Sequence, residues 1–72
     1  MEKNIELKKL ADRIKSVRTE KGLSQEELAY LSSFDRTYIS LLERAKRNPS
    51  FYNLLKLSKG LNIPLSDLLK GL

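Results

Sequence analysis

Residues 24–44 have the sequence SQEELAYLSSFDRTYISLLER, which contains the signals for two short helices joined by a tight turn. Ser24 can cap the start of the first helix, and Glu27, three residues later, can reach back to complete a capping box. This helix is expected to cover Gln25 to Ser32. The side chains predicted to form its buried side are Leu28, Ala29 and Leu31.

The second helix of this stretch follows a turn at residues 32–34 and can be capped by Asp35. It is expected to cover Arg36 to Arg44, with Ile39 and Leu42 buried. The side chains predicted to be exposed on it are Arg36, Thr37, Ser40 and Leu41. A short helix that is held against a preceding one and presents polar and basic side chains reads the major groove of DNA in many proteins. Nucleic-acid binding is therefore the leading functional prediction.

Three more helices are predicted around this pair. Residues 5–21 repeat apolar side chains at the i, i+3, i+4, i+7 spacing of one helical face, and Gly22 can end that helix in a left-handed conformation. Its apolar positions are Leu7, Leu10, Ala11, Ile14 and Val17. Residues 46–49 have no apolar period and include a proline, so they are expected to form a loop.

Ser50 can cap a fourth helix over residues 51–61, which Asn62 is expected to end. Its apolar positions are Phe51, Leu54, Leu55, Leu57 and Leu61. Pro64 suits the first turn of a final short helix. No segment shows the two-residue alternation of a strand, so the sequence predicts one all-α domain of five helices over residues 1–72.

Composition excludes several classes of protein. The chain has 72 residues, no Cys and no His, which removes disulfides, thiolate metal sites, the commonest zinc ligand and the usual general base. It has no glycine-rich phosphate loop, and the neighbouring Glu26 and Glu27 point about 100° apart on a helix, so they cannot flank one bond. We expect no enzyme activity, no cofactor and no metal. Neither a membrane span nor a signal peptide is evident, so a cytoplasmic protein is expected.

The net charge of +5 is confined to one part of the sequence. Residues 1–35 carry seven basic and seven acidic groups, and residues 60–72 are also balanced. Residues 36–59 carry six basic groups against the single acidic residue Glu43. A localised basic region is expected where a protein meets a phosphate backbone, although a solvated basic surface is the simpler alternative.

Four segments, residues 22–29, 35–40, 42–44 and 47–50, together resemble the Cro/cI-type (XRE) helix-turn-helix family with its lambda-repressor-like fold. Within that family they look most like the controller proteins of restriction–modification systems. The resemblance implies a homodimeric transcriptional regulator that binds a palindromic DNA operator, regulates its own gene and times the expression of an endonuclease. Antitoxins of toxin–antitoxin pairs and short phage-type repressors share the fold and remain alternatives. No small-molecule effector is expected.

Two positions depart from the family pattern, which commonly has glycine in the turn between the two helices and after the recognition helix. This chain has Ser33 and Ala45 there. If both backbones keep a positive φ, each residue costs roughly 1 kcal/mol relative to glycine.

The candidate base-reading residues lie on the second helix of the motif: Arg36, Thr37, Ser40 and Leu41. Arg36 can bond O6 and N7 of one guanine, which discriminates by about 1–3 kcal/mol, or it can contact a phosphate. Thr37 can read a base edge or bind a phosphate, and Leu41 can pack on a thymine methyl or lie exposed. Candidate contacts to the DNA backbone are Ser24, Gln25, Tyr38, Arg44, Lys46, Arg47 and Asn48. Tyr38 can instead pack beside the preceding helix, and Asn48 can serve as a turn residue.

The resemblance also implies an ion pair between Arg18 and Glu43 that joins the first helix to the recognition helix. A solvated glutamate is the alternative. The C-terminal segment is rich in apolar residues, some of which must close the core. The candidate dimer interface comprises Ile63, Leu65, Leu69 and Leu72, with core packing as the alternative for Leu65. Symmetric pairing would place two recognition helices about 34 Å apart, one turn of DNA.

Overall fold

A computed structural model describes residues 4–72, and within them five α-helices are joined by short loops without any strand. The helices are α1 (Ile5–Glu20), α2 (Gln25–Ser32), α3 (Arg36–Glu43), α4 (Phe51–Leu61) and α5 (Leu65–Leu68). The predicted all-α fold with five helices is confirmed. α1 and α3 each end one residue earlier than predicted, because Lys21 and Arg44 are the C-caps of these helices. Within residues 4–72, no helix is long and apolar enough to cross a membrane.

The first four helices begin in the same way. A side-chain oxygen of the residue before each helix accepts a backbone N–H of its first turn, at donor–acceptor distances of 2.9 to 3.1 Å. These capping residues are Asn4, Ser24, Asp35 and Ser50. At α2 the capping box is complete, because the backbone N–H of Ser24 also donates to Glu27 Oε1 at 2.8 Å. That backbone hydrogen bond, with a smaller contribution from the Ser24 side chain, lowers the pKa of the Glu27 carboxyl below its ordinary value.

The same four helices also end in one way, with a left-handed residue at Gly22, Ser33, Ala45 and Asn62 (φ 73°, 61°, 58° and 57°). In each case the next backbone N–H donates to the carbonyl five residues earlier, as in a Schellman motif; the donors are Leu23, Phe34, Lys46 and Ile63. Three of these donor residues then pack on the core with their side chains: Leu23, Phe34 and Ile63. Ser33 and Ala45 have therefore kept the backbone for which glycine is best suited.

The core lies between the helices and is aliphatic. The fully buried side chains of largest volume are Ile14, Leu28, Ile39, Leu42, Leu57, Leu61 and Leu68. α2 packs against α3 and α4, and α1 packs against α3 and α5. The crossing of α2 and α4 is close at Gly60, where an added Cβ would lie 2.6 Å from Ser32 Oγ and 3.1 Å from the Ser32 backbone nitrogen.

Two large apolar residues of α2 and α4 are on the surface. Leu31 is 51% exposed, because Ser32, one turn after Leu28, takes the core-facing position of α2 opposite Gly60. Only a small side chain fits there. Phe51 is 67% exposed, because it lies in the first turn of α4 and off the face that buries Leu57 and Leu61. The prediction that Leu31 is buried was wrong.

Candidate nucleic-acid interface

α3 presents its N-terminal end to solvent while its opposite face is buried. Ile39 and Leu42 are 0% and 2% exposed, so they fix the helix on the core. Arg36 and Thr37 are exposed on the first turn, as predicted. Ser40 and Leu41, which were predicted to be equally exposed, are half-buried. The surface that α3 offers is therefore centred on Arg36 and Thr37.

The C-terminal end of α3 is anchored by a buried ion pair. Glu43 Oε2 accepts a hydrogen bond from Arg18 Nε at 2.6 Å, and Glu43 Oε1 accepts one from Arg18 Nη2 at 2.9 Å. The two side chains are 10% and 2% exposed, respectively. Arg18 Nη1 also donates to the Leu23 carbonyl at 2.7 Å. Because α1 carries Arg18, this bidentate pair fixes α3 to α1.

Gln25 extends the ion pair to the exposed end of α3. Its Nε2 donates to Glu43 Oε1 at 3.0 Å, and its Oε1 accepts from Arg36 Nη1 at 3.4 Å. A carboxylate only accepts and a guanidinium only donates, so the amide can be oriented in one way alone. Arg18, Glu43, Gln25 and Arg36 thus form a continuous row. This bond to Arg36 uses one of the five N–H groups of the guanidinium.

Tyr38 packs beside the turn and reaches α4. Its ring lies against Phe34, with centroids 4.7 Å apart, and its hydroxyl accepts a hydrogen bond from Asn53 Nδ2 at 2.9 Å. Asn53 was not anticipated from the sequence, because no local spacing relates residues on separate helices. The hydroxyl of Tyr38 keeps its own proton to donate, so a contact with a phosphate oxygen is compatible with this arrangement.

The basic residues of the 36–59 region have different surroundings. Arg44, Lys46 and Arg47 are exposed at the C-terminal end of α3 and in the loop that follows, beside the exposed Asn48. Lys56 is engaged elsewhere: its Nζ lies 4.2 Å from the centroid of the Phe34 ring and donates to the Ser33 carbonyl at 3.3 Å. The charge available to a phosphate backbone is therefore concentrated after α3.

A family model described as helix-turn-helix matches residues 14–68, which span α2, α3 and most of the core. The chain belongs to this family. The control protein C.MunI of a Mycoplasma species is 48% identical over 61 residues, which cover 83% of this chain and 82% of that protein.

Solved structures of helix-turn-helix controller proteins have the same fold. The restriction-modification controller protein C.AhdI from Aeromonas hydrophila matches with a TM-score of 0.88 and 46% identity, over 90% of this chain and 98% of that one. The controller protein C.Esp1396I, solved as a tetramer with its natural 35-base-pair operator, matches with a TM-score of 0.86 and 41% identity, over 93% and 92% of the two chains. The predicted resemblance to restriction–modification controller proteins is confirmed. Membership of a family of DNA-binding regulators also confirms that the chain is not an enzyme.

In this helix-turn-helix protein the predicted contacts to DNA fall into two groups. Arg36, Thr37 and Gln25 lie at the start of α3 and of α2, where the Ser24 hydroxyl accepts the Glu27 N–H as the cap of α2 and keeps its own proton to donate. The second group follows α3 and comprises Arg44, Lys46, Arg47 and Asn48. Within residues 4–72, no three acidic side chains are grouped closely enough to hold a metal ion together.

The candidate dimer residues lie at and around α5. Leu72 is 51% exposed, whereas Ile63, Leu65 and Leu69 are half-buried. Leu68 is fully buried and belongs to the core. The free apolar area at this end of the helix-turn-helix domain is therefore greatest at Leu72.

Proposed function

We propose that this chain is a homodimeric transcriptional regulator that binds a palindromic operator and controls a restriction–modification system, including its own gene. Residues 1–72 act as one DNA-binding domain, and the protein works in the cytoplasm, where bacterial DNA is accessible. The observation that carries the proposal is the exposure of Arg36 and Thr37 on a helix whose other face is buried and anchored through Glu43. The similarity to named controller proteins supports the choice of regulated system.

Arg36 is the principal reader of sequence in this proposal. It stands at the N-terminal end of α3, which enters the major groove first. Its planar fork can bond O6 and N7 of a guanine, a contact that discriminates by about 1–3 kcal/mol. Thr37 is exposed beside it and can contact an adjacent base edge. Ser40 and Leu41 are half-buried, so they contribute less to base selection.

The loop after α3 supplies affinity without sequence information. Arg44, Lys46 and Arg47 are exposed there and can each neutralise a phosphate of the flanking backbone. Each such contact adds about 0.9 to the slope of log affinity against log salt. The side-chain amide of Gln25 and the hydroxyl of Tyr38 can donate uncharged hydrogen bonds to phosphates of the same DNA backbone.

Selection from a random duplex library at physiological salt tests the proposal. We expect the purified protein to retain a two-fold-related motif. Arg36→Ala should lose one guanine of each half-site from that motif. The matched control is Arg47→Ala, which removes an exposed arginine of the loop: it should keep the motif and lower the salt slope by about one. If the retained duplexes share no motif, and the amount retained falls evenly as salt rises, the protein binds phosphate alone and the proposal is refuted.

A further inference from the structure

Two arginines of α1 hold two different helices of the domain. Arg18 binds Glu43 of α3, as described above. Arg13 reaches in another direction to the end of α5: its Nη2 donates to the Asp67 carbonyl at 2.7 Å and its Nε donates to the Leu68 carbonyl at 3.2 Å. The last carbonyls of a helix have no partner within it, so a guanidinium fork suits this position.

α5 depends on such outside contacts for its placement. It has four residues, and no side-chain hydrogen bond caps its start. A helix of that length is unstable alone, because nucleation is unfavourable and few bonds follow it. Leu68 is fully buried, Leu65 packs against the core, and α5 contacts both α4 and α1. The two hydrogen bonds from Arg13 are the polar link that joins the end of α5 to α1.

α1 is a rigid connector between these two anchors. It spans 16 residues and buries Ala11, Ile14 and Val17 in the core. Arg13 and Arg18 are five residues apart on it, about 7.5 Å along the helix axis. α5, whose C-cap is Leu69, and α3, which carries Arg36, are therefore both bonded to the same helix.

We propose that α1 sets the distance between the two recognition helices of the dimer. In this proposal Arg13 is the positioning residue, because it fixes the orientation of α5 relative to α1. The inference rests on the proposed homodimer, and it takes the candidate dimer residues at and around α5 as the surface through which the two copies pair across a two-fold axis. A change in the angle of α5 on α1 moves the recognition helix of its own protomer, and symmetry doubles the displacement. The half-site spacing that the dimer prefers then depends on the hydrogen bonds between Arg13 and α5.

A purely structural role for Arg13 makes a different prediction. If its hydrogen bonds only stabilise the fold, their loss lowers the melting temperature and weakens binding to all operators by one factor. If they set the spacing, their loss also reduces the discrimination between operators of different spacing. Spacing preference is therefore the measurement that separates the two roles.

The experiment uses the full chain and three duplexes: the selected operator, and versions with one base pair inserted or removed between the half-sites. Arg13→Met removes the donors and keeps a side chain of similar reach. The matched control is Lys15→Met, which removes the same charge from an exposed position of α1. Fluorescence anisotropy gives the affinities, sedimentation equilibrium gives the dimer dissociation constant, and circular dichroism gives the melting temperature.

We expect the wild-type chain to prefer its own spacing by about tenfold or more, since one base pair shifts a half-site by roughly 3.4 Å and rotates it by about 35°. Arg13→Met should lower this preference to about threefold or less, because the two hydrogen bonds that join the end of α5 to α1 are lost. Lys15→Met should keep the preference. If Arg13→Met fails to fold, Arg13→Lys retains the charge but not the two-pronged fork, and it should show a reduced preference.

The inference is overturned if Arg13→Met keeps the wild-type spacing preference, whatever its melting temperature. If Arg13→Met does not fold, the same outcome for Arg13→Lys overturns it. That result leaves the proposed function intact, since the wild-type chain would still read a spaced operator. A wild-type chain without any spacing preference would overturn the dimeric function itself, and the inference with it.

Discussion

Glu43→Ala is the substitution that best tests how the recognition helix is held. The Glu43 carboxylate accepts two hydrogen bonds from Arg18 and one from Gln25. Its removal leaves the Arg18 guanidinium, which is 10% exposed, with the Leu23 carbonyl as its remaining partner among these contacts. It also releases the amide of Gln25, which the carboxylate orients toward Arg36. Stability and DNA affinity should therefore fall together.

The expected loss of stability is large for a domain of this size. Removing one partner of a buried ion pair costs about 3–5 kcal/mol, because the other charge stays buried. Arg18 keeps one hydrogen bond, so we take about 3 kcal/mol. In a domain of 60–100 residues, each 1 kcal/mol lowers the melting temperature by about 4–8 °C, which gives a fall of roughly 12–24 °C. The total stability expected for 72 residues is only about 4–11 kcal/mol.

Thermal unfolding followed by circular dichroism, with operator affinity measured well below the transition, checks both effects. The control is Asp12→Ala, which breaks the exposed ion pair with Lys8, whose side chains are 66% and 60% exposed. Such a pair contributes about 0.3–0.5 kcal/mol, so the melting temperature should change by less than about 4 °C. If Glu43→Ala behaves like this control in both measurements, the reasoning about the buried pair is wrong.

Three further changes have defined outcomes. Ala45→Gly should raise the free energy of unfolding by about 0.5–1 kcal/mol, because φ is 58° there; a loss of stability in urea unfolding would contradict this. Gly60→Ala should lower it by about 1–3 kcal/mol despite the better helix propensity of alanine, because the new Cβ meets Ser32; an unchanged urea midpoint would argue against a tight crossing. The lowered pKa of Glu27 contributes stability that is present above the ordinary glutamate range and is lost as pH falls through the lowered value. The difference in melting temperature between wild type and Glu27→Gln should therefore shrink toward pH 3, and a difference that stays constant from pH 7 to 3 would exclude this role.

The elements of this fold could be predicted because their ends are specified by neighbouring residues. The caps of α2, α3 and α4 are read directly from Ser24, Asp35 and Ser50, each of which bonds a backbone N–H two or three residues later. Gly22 and Asn62 likewise identify two helix ends, since both residue types adopt left-handed backbone readily. Exposure of Thr37 follows from the burial of Ile39 on the other face, whereas Arg36 is exposed because it is the first residue of α3.

Other features depend on how separate helices meet, and no local pattern reports that. The close approach of α4 makes Ser32 a core residue and leaves Leu31 at the surface. Asn53 reaches Tyr38 across 15 positions of sequence, and Arg13 reaches Leu68 across 55. The contact of Gln25 with both Glu43 and Arg36 is of the same kind, although all three residues had been singled out separately. Sequence identified many of the participants but not their partners.

The division of α3 into a buried side and an exposed end has a consequence for how such regulators diversify. Substitutions at Arg36 and Thr37 change solvent-exposed side chains, and exposed positions away from special contacts usually alter stability by less than about 0.5 kcal/mol. Ile39, Leu42 and Glu43 lie in the interior and hold the helix in place. In the proposed function, new operator preferences can therefore evolve by a few replacements at the first turn while the scaffold is inherited unchanged. The same separation makes this helix suitable for grafting the reading residues of one regulator onto the body of another.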